Sequence, residues 1–413
     1  MQKKLGIIKE GKVPSDERVP LTPTQCLRVL EEYPNIEIKV QKSPVRAFKD
    51  EEYSALGIDV VEDISDCDII MGVKEVNIED LIPNKHFFFF SHTIKEQPYN
   101  RKLLQAVIEN KIQLTDYEVL KDKKGNRIIG FGRYAGIVGC YNAFLTYGLK
   151  HSLYNLKPAH QCEDRVEMEG ELSKVRLLKD TKIVMTGFGR VGHGALEIIN
   201  KLPITEVSPE EFIEDNFDGP VFTHLATSDY TARDDGKPFD RDVFYADPAG
   251  HHSTFQKYLK AADLFIACHY WETGSPFLFT REDLKMDDLR LSVVADISCD
   301  IDGPVASTIR PSTITDPIYG YDPHTEQEVD FEQQGAIAVM AVDNLPCELP
   351  KDASQDFGNE LIKYVLPALF GEDPDDIIAR GSETTKEGEL SPYFEYLTEY
   401  LEGKGELAED QLN

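Results

Sequence analysis

Apolar residues in this chain fall in short unbroken runs rather than in alternation. Three such runs lie close together. Residues 68–73 lead to Lys74, four phenylalanines at 87–90 lead to Ser91-His92, and residues 112–117 lead to Glu118. Runs of this kind predict strands buried on both faces, as in a parallel sheet covered by helices. Residues 4–9 and 36–40 also read as strands. Thr22-Pro23 predicts a helix start, with Thr as N-cap and Pro at the first helical position, running to about Glu32. Asp50 opens a short helix ending near Gly57, and a helical pattern covers about residues 100–110. Ligands of parallel sheets sit outside the carboxyl ends of the strands. Lys74, His92 and Glu118 each fall at such an end and mark a candidate cleft.

Glycines and Ala135 in residues 127–136 predict close backbone packing where the chain enters a second domain. A long linking helix is expected from Gly139 to about Tyr154, while residues 157–173, with Pro158 and His160, are polar and read as neither helix nor strand. The run 182–186 then ends in Gly187-x-Gly189-x-x-Gly192, followed by a helix-like segment from Ala195 to Lys201. Strand, glycine turn and helix in this order form the context of a dinucleotide-binding fingerprint. Gly187 suits a tight turn, Gly189 lets backbone approach a pyrophosphate, and Gly192 lets helix and strand pack closely. Phe188, Arg190 and Val191 fill the variable positions. The helix N-terminus offers free N–H groups to phosphates. Further strands are expected at 221–226, 264–268, 291–295 (with Asp296 at the carboxyl end) and 335–342. Residues 300–323, rich in Pro, Gly and Thr, read as loop. A helix is expected at about 353–366. The acidic tail beyond Phe370 spaces Phe394, Leu397, Tyr400 and Leu401 helically, so part of it should pack.

Composition narrows the partners. Of 413 residues, 41% are hydrophobic and 29% charged, enough for two soluble α/β domains. The formal net charge of −30 argues against nucleic acid or an anionic membrane. Seven scattered cysteines without C-x-x-C spacing read as reduced thiols of a cytoplasmic protein, with no metal site. No signal peptide is expected, because Met1-Gln2-Lys3-Lys4 leads straight into a strand-like run.

Several segments carry a family resemblance. Asp16-Glu17-Arg18-Val19-Pro20-Leu21-Thr22-Pro23 resembles the opening shared by alanine dehydrogenases, the proton-pumping transhydrogenase and lysine-forming saccharopine dehydrogenases. Residues 43–48 (SPVRAF), 72–75 (GVKE), 91–95 (SHTIK), 125–136 and 342–354 resemble saccharopine dehydrogenase and lysine–ketoglutarate reductase domains. The resemblance runs from about residue 5 to 370. It implies an α/β fold of two Rossmann-like domains with parallel sheets flanking a cleft. The first domain would be discontinuous, with residues 1–134 and 345–413 binding substrate and 135–344 binding the dinucleotide. It also implies reversible hydride transfer between NAD or NADP and the carbon of a secondary amine. The imine then yields an amino acid and a 2-oxo acid, as in the conversion of saccharopine to lysine and 2-oxoglutarate. By the same resemblance Lys74 and His92 form the acid–base pair, Arg18, Lys95 and Arg127 face substrate carboxylates, and Glu118 tunes the cluster.

Those residue types suit the chemistry. Imine formation and hydrolysis move protons near neutral pH, where imidazole works naturally. A lysine must first be brought down by burial or by neighbouring cations, here expected to be Arg18 and Lys95. Arginine holds carboxylates bidentately. On the cofactor side, strand ends supply Thr227-Ser228-Asp229, Cys268-His269, Asp296, and Asp343 with Leu345. An acid bonding the ribose 2′-OH is expected after the second strand, yet Ala226 or Thr227 stands there. Asp229 is displaced, and Arg233 is placed to meet a 2′-phosphate, so NAD and NADP both stand. Tyr270-Trp271 are read as core residues, with the cofactor site as their other role. The protein is expected to be a monomer or homodimer. Two rival functions are alanine dehydrogenase-like reductive amination of a 2-oxo acid and a non-catalytic NAD(P)-binding regulator.

Overall fold

The computed structural model describes residues 3–404. Met1, Gln2 and residues 405–413 of the acidic tail lie outside the described residues. The chain divides into two compact units. The first is built from the chain up to Phe131 and again from Pro350, the second from Gly132–Leu349.

The first unit holds β1 (Lys3–Ile7), β2 (Ile36–Gln41), β3 (Asp59–Val61), β4 (Ile69–Met71), β5 (His86–Phe89) and β6 (Gln113–Asp116). They form one sheet in the order β3-β2-β1-β4-β5-β6, every pair parallel. The strand order reverses at β1: the chain steps outward to β2 and β3, then returns to β4 on the other side. The carboxyl ends of β1 and β4 therefore flank a topological switch point. Helices α1 (Pro23–Glu32), α2 (Asp50–Ser54) and α3 (Arg101–Glu109) accompany the sheet. At the start of α1, Gln25 Oε1 accepts the Thr22 N–H at 3.0 Å and closes the capping box that Thr22-Pro23 announced.

The four phenylalanines show why that run does not alternate. Successive strand residues point to opposite faces. Phe87 and Phe89 enter a core with Leu103, Val107 and Leu114, while Phe88 and Phe90 enter another with Tyr117 and Phe357. After Pro350 the chain returns as a helix, Pro350–Glu360, which widens into a π turn over Leu361–Val365 before Leu366–Phe370. The expected helix at 353–366 is thus longer and irregular, because Pro367 has no N–H to bond back into it. Phe394, Leu397 and Tyr400 pack on Leu104, as the tail spacing anticipated.

The second unit holds β7 (Lys182–Thr186), β8 (Thr205–Glu206), β9 (Val221–Leu225), β12 (Leu264–Ala267), β13 (Val293–Asp296), β14 (Ile318–Asp322), β15 (Gln327–Val329) and β16 (Ile337–Met340) in one sheet. Strands β10 (Thr231–Arg233) and β11 (His251–Ser253) form a separate ribbon. The eight-stranded order is β15-β14-β16-β13-β12-β7-β9-β8, parallel from β8 to β16 with β14 and β15 antiparallel at the edge. Strand β14 lies inside the stretch read as loop; the Pro, Gly and Thr content around it hid a strand that pairs antiparallel with β16 on one side and β15 on the other.

Helix α4 (Gly132–Lys150) begins well before the expected Gly139. Helix α5 is Arg165–Glu171, within the stretch read as neither helix nor strand, and α6 is Arg190–Ile199, which starts directly after Gly189. The close backbone packing expected of the glycines near residue 136 is a contact between helices. A Cβ on Gly136 would stand 1.9 Å from the Val191 carbonyl oxygen, and one on Gly194 2.0 Å from that of Arg133. Helices α4 and α6 touch backbone to backbone there, which outweighs glycine's usual helix cost of about 1 kcal/mol.

Candidate active site

In the first unit, the turn after each central strand delivers a polar side chain. Lys74 follows β4, His92 follows β5 and Glu118 follows β6, as the strand-end argument expected. The turn after β1 adds Glu10, which the sequence reading passed over. Its two carboxyl oxygens accept the N–H groups of Val73 (2.6 Å) and Lys74 (2.9 Å), so β1's loop fixes the backbone that presents Lys74. Burial is the main force on Glu10, and Asp16 adds to it; together they push its carboxyl up to about 8 against the bonds from Val73 and Lys74.

Arg18 is 3% exposed and forks onto Asp16 with Nε at 3.0 Å and one terminal nitrogen at 2.6 Å. Its guanidinium lies 4.1 Å from the centre of the Phe131 ring, which stacks on Phe357. Burial opposes ionisation of Asp16, but Arg18 outweighs it and Lys74 contributes, leaving that carboxyl below its ordinary range. Acids are therefore interleaved with the cations: Lys74 has Asp16 within electrostatic reach, where only cationic neighbours were expected.

His92 sits on a left-handed backbone (φ 55°) and its Nδ1 lies 2.6 Å from Glu75 Oε1. Lys12 Nζ reaches the other Glu75 oxygen, also at 2.6 Å. Burial alone would raise the Glu75 carboxyl; the bonds from His92 and Lys12 override it and hold it at about 2. A permanent carboxylate accepts a hydrogen bond from Nδ1–H, which assigns proton exchange to Nε2. Glu75 was legible as the residue after Lys74, whereas Lys12 carried no signal beyond its charge. Lys95 and Arg127 both lie 3.7 Å from Glu118, one at each carboxyl oxygen, and the Arg127 guanidinium lies 5.7 Å from the centre of the Phe90 ring. The structure thus brings Lys95, Glu118 and Arg127 into one group, and Glu75 with His92 into another. Arg18 is engaged by its own loop.

In the second unit, Gly187 has φ +90°, and a Cβ there would stand 2.2 Å from the Cys268 carbonyl oxygen. A Cβ on Gly192 would stand 1.9 Å from the Gly187 oxygen. Both glycines are required by the protein's own packing. Gly189 is different: nothing lies within 4 Å of its Cβ position, its φ is −84°, and it caps α6. The space above it matches what a pyrophosphate at a helix N-terminus needs. Exposed Phe188 stacks on His224, whose Nε2 meets the Gly187 oxygen at 2.7 Å. Arg190 and Val191 open α6.

Beside the carboxyl ends of β9 and β12 lies a cavity lined by Thr227, Tyr245, His269, Tyr270 and Trp271 among others. Tyr270 is 76% exposed, so the expected core role is corrected: the Tyr270-Trp271 pair borders this cavity. His269 Nδ1 meets Thr186 Oγ1 at 2.9 Å, while its buried Nε2 has no partner among the described residues. A polar ligand in the cavity would supply one. Asp229 folds back to accept the Ala226 N–H at 2.7 Å, Ser228 is exposed beside it, and Arg233 forks onto Asp235. Asp296 is buried at a turn, bonded by Cys299 N–H and the Thr308 hydroxyl; burial pushes it up to about 6. Asp343 is exposed, whereas Leu345 is buried against Gly139. Among the described residues no group of His, Cys, Asp and Glu is arranged to hold a metal, and no helix is long and apolar enough to cross a membrane.

Comparison with known proteins fits this architecture. The family described as alanine dehydrogenase/PNT matches with its N-terminal domain over residues 6–138 and its C-terminal domain over 157–380. The chain is 30% identical to the alpha-aminoadipic semialdehyde synthase of Arabidopsis thaliana, over 99% of its own length and 42% of that protein. It is 28% identical to the mitochondrial enzyme of that name from Mus musculus, over 94% of itself and 47% of the relative. The chain thus spans about half the length of these relatives. Against the saccharopine dehydrogenase (NAD(+), L-lysine-forming) of Schizosaccharomyces pombe it is 26% identical over 86% of itself and 90% of that protein. A solved L-alanine dehydrogenase superposes with a TM-score of 0.65 at 17% identity, covering 96% of this chain and 99% of that one. With both sheets, the glycine turn and both domain matches in the same order along the sequence, the chain belongs to the alanine dehydrogenase/PNT family.

Proposed function

We propose that this protein is an NAD(P)-dependent oxidoreductase acting on the CH–NH group of an amino acid derivative, with saccharopine, or lysine and 2-oxoglutarate, as its substrates. The observation that carries this reading is the switch point of the first unit. There a lysine and a carboxylate-anchored imidazole occupy neighbouring strand ends. The relatives named as lysine-forming saccharopine dehydrogenases support the choice of substrate.

Each unit has its own task. The first binds and handles the amine. His92, with Nδ1 held by Glu75, exchanges a proton at Nε2. Lys74 takes the partner role of donor and acceptor at the substrate nitrogen. Lys95, Arg127 and Arg18 supply positive charge toward carboxylates, with Glu118 spacing Lys95 from Arg127. The second unit binds the dinucleotide. Gly187, Gly189 and Gly192 admit the pyrophosphate to the start of α6, and the cavity by Thr227 and His269 receives the adenosine end. When bound, the nicotinamide supplies the hydride chemistry, and the protein's work is orientation and exclusion of water. No acid projects from Thr227 for a ribose 2′-OH, and Arg233 is occupied by Asp235, so both NAD and NADP are carried into the test. A reducing compartment, the cytoplasm, suits seven free cysteines, and a monomer or homodimer is the expected assembly.

The second reading, reductive amination of pyruvate by ammonia, is favoured by the family's name and the alanine dehydrogenase fold. Steady-state assays separate the two. Lysine with 2-oxoglutarate should consume reduced nicotinamide, and ammonia with pyruvate should not. The reverse result would replace the first reading with the second, and nucleotide binding without any turnover would favour a regulator.

A further inference from the structure

Beneath His92 lies a buried group of oxygens that the reaction does not use directly. The segment after residue 380 runs beside β6: Glu383 N–H bonds the Leu114 carbonyl at 2.7 Å, and Thr384 Oγ1 accepts the Leu114 N–H at 2.8 Å. This register carries the Glu383 side chain, fully buried, to the two residues that flank His92. Ser91 Oγ lies 2.8 Å from Glu383 Oε1, and Thr93 Oγ1 lies 2.5 Å from Glu383 Oε2. Ser91 Oγ also lies 2.5 Å from Asp116 Oδ2 and 2.6 Å from Thr93 Oγ1. Asp116 further accepts the N–H groups of Ser91 (2.9 Å) and Glu118 (2.6 Å).

The hydrogens can be counted. Four oxygen–oxygen contacts of 2.5–2.8 Å join these groups, yet the two hydroxyls bring only two hydrogens. A contact without a hydrogen sets lone pair against lone pair. A carboxyl proton supplies a third hydrogen, one of the three is then shared between two acceptors, and two buried carboxylates so close do not both ionise.

We propose that Glu383 is a positioning residue for His92: with Asp116 it holds a shared proton, and through Ser91 and Thr93 it fixes the left-handed turn that presents the imidazole. Asp116 extends the same brace to Glu118. This role deepens the proposed function and rests on that reading for its catalytic consequence, but not for its structural one. Glu383 lies just beyond the residues matched by the family's C-terminal domain.

Burial, reinforced by the Asp116 charge, pushes the Glu383 carboxyl up to about 8, and Asp116 is raised as well. The groups facing the pair are Glu118 on the β6 turn, and Tyr396 and Tyr400 from the C-terminal segment. Glu96 lies behind them, and Arg101 lies over the Tyr400 ring. Both tyrosines are raised above their ordinary value, mainly by burial, and stay neutral in this range.

The test compares E383Q with E389Q, an exposed control in the same segment, in the full chain. One arm follows the His92 imidazole by NMR, assigned with H92Q, across the alkaline range. The wild type and E389Q should show a step as the pair gives up its proton. E383Q should lack the step, with the His92 signal displaced at every pH. The second arm measures turnover, where E383Q should lose on the order of 10–100-fold in kcat, with KM for the nicotinamide unchanged. An unmoved His92 signal in E383Q, or wild-type kcat with a wild-type alkaline limb, would overturn the proposal. Should the wild type turn over no amino acid substrate at all, the proposed function fails, while the NMR arm still decides the role of Glu383.

Discussion

Replacing Glu10 by Gln should reverse the sign of its own effect on stability with pH. In the folded first unit the Glu10 carboxyl is raised from 4.5 to about 8 by burial and by Asp16. A raised acid binds its proton more tightly when folded. The stability it contributes is therefore complete below about 4.5 and is lost as pH climbs through about 8. At 1.36 kcal/mol per pH unit, that interval corresponds to roughly 5 kcal/mol as a ceiling. Glutamine removes this titration but offers one acceptor oxygen where Glu10 offers two, so either the Val73 or the Lys74 N–H loses its partner. That loss costs about 1–3 kcal/mol at any pH. E10Q should thus be less stable than wild type near about pH 5 and more stable near about pH 9. Urea unfolding followed by far-UV circular dichroism reads both units together. Fluorescence of Trp271, the one tryptophan, reads the second and serves as an internal reference. Parallel curves for wild type and E10Q across this range, with no crossing, would refute the reasoning.

Other substitutions separate packing from chemistry. K74M and H92Q should each lower turnover by on the order of 100–10,000-fold while leaving nicotinamide affinity, measured by calorimetry, unchanged; a joint loss of binding would mean these residues support the fold instead. G189A should melt like wild type, since its Cβ meets nothing, yet bind NAD(P) at least about 10-fold more weakly; unchanged affinity would move the pyrophosphate away from α6. G136A should behave in the opposite way. Its Cβ collides with the Val191 carbonyl, so thermal stability should fall by about 1–3 kcal/mol or more, and a neutral result would contradict the backbone contact between α4 and α6.

Some of this was legible before any coordinates. The glycine turn was readable because its demands are local: a positive φ at Gly187 and contacts that exclude a side chain at Gly192. Lys74 and His92 were readable because unbroken apolar runs end just before them, and Glu118 because it follows a strand-like segment in which Ile112, Leu114 and Tyr117 are interleaved with polar residues. Glu10 and Glu383 were not, since an acid in a polar loop or acidic tail looks solvated until the fold buries it; nor was Asp116, whose strand-end position gives no sign of a buried partner. Ser91 and Glu383 meet across 292 positions of sequence, a pairing that no window of residues can contain. The close packing of the glycines before residue 137 was readable, but the start of α4 was missed, because the contact with α6 that makes glycine acceptable in a helix is distant in sequence. Tyr270 misled in the other direction, because aromatic content suggests core and this ring is exposed.

The central claim is tested most directly by following nicotinamide absorbance with saccharopine under both cofactors, in wild type and H92Q. The account predicts that saccharopine reduces NAD or NADP in the wild type and that H92Q abolishes this without loss of nucleotide binding. Full activity in H92Q, or a wild type inert to saccharopine yet active with ammonia and pyruvate, would contradict it.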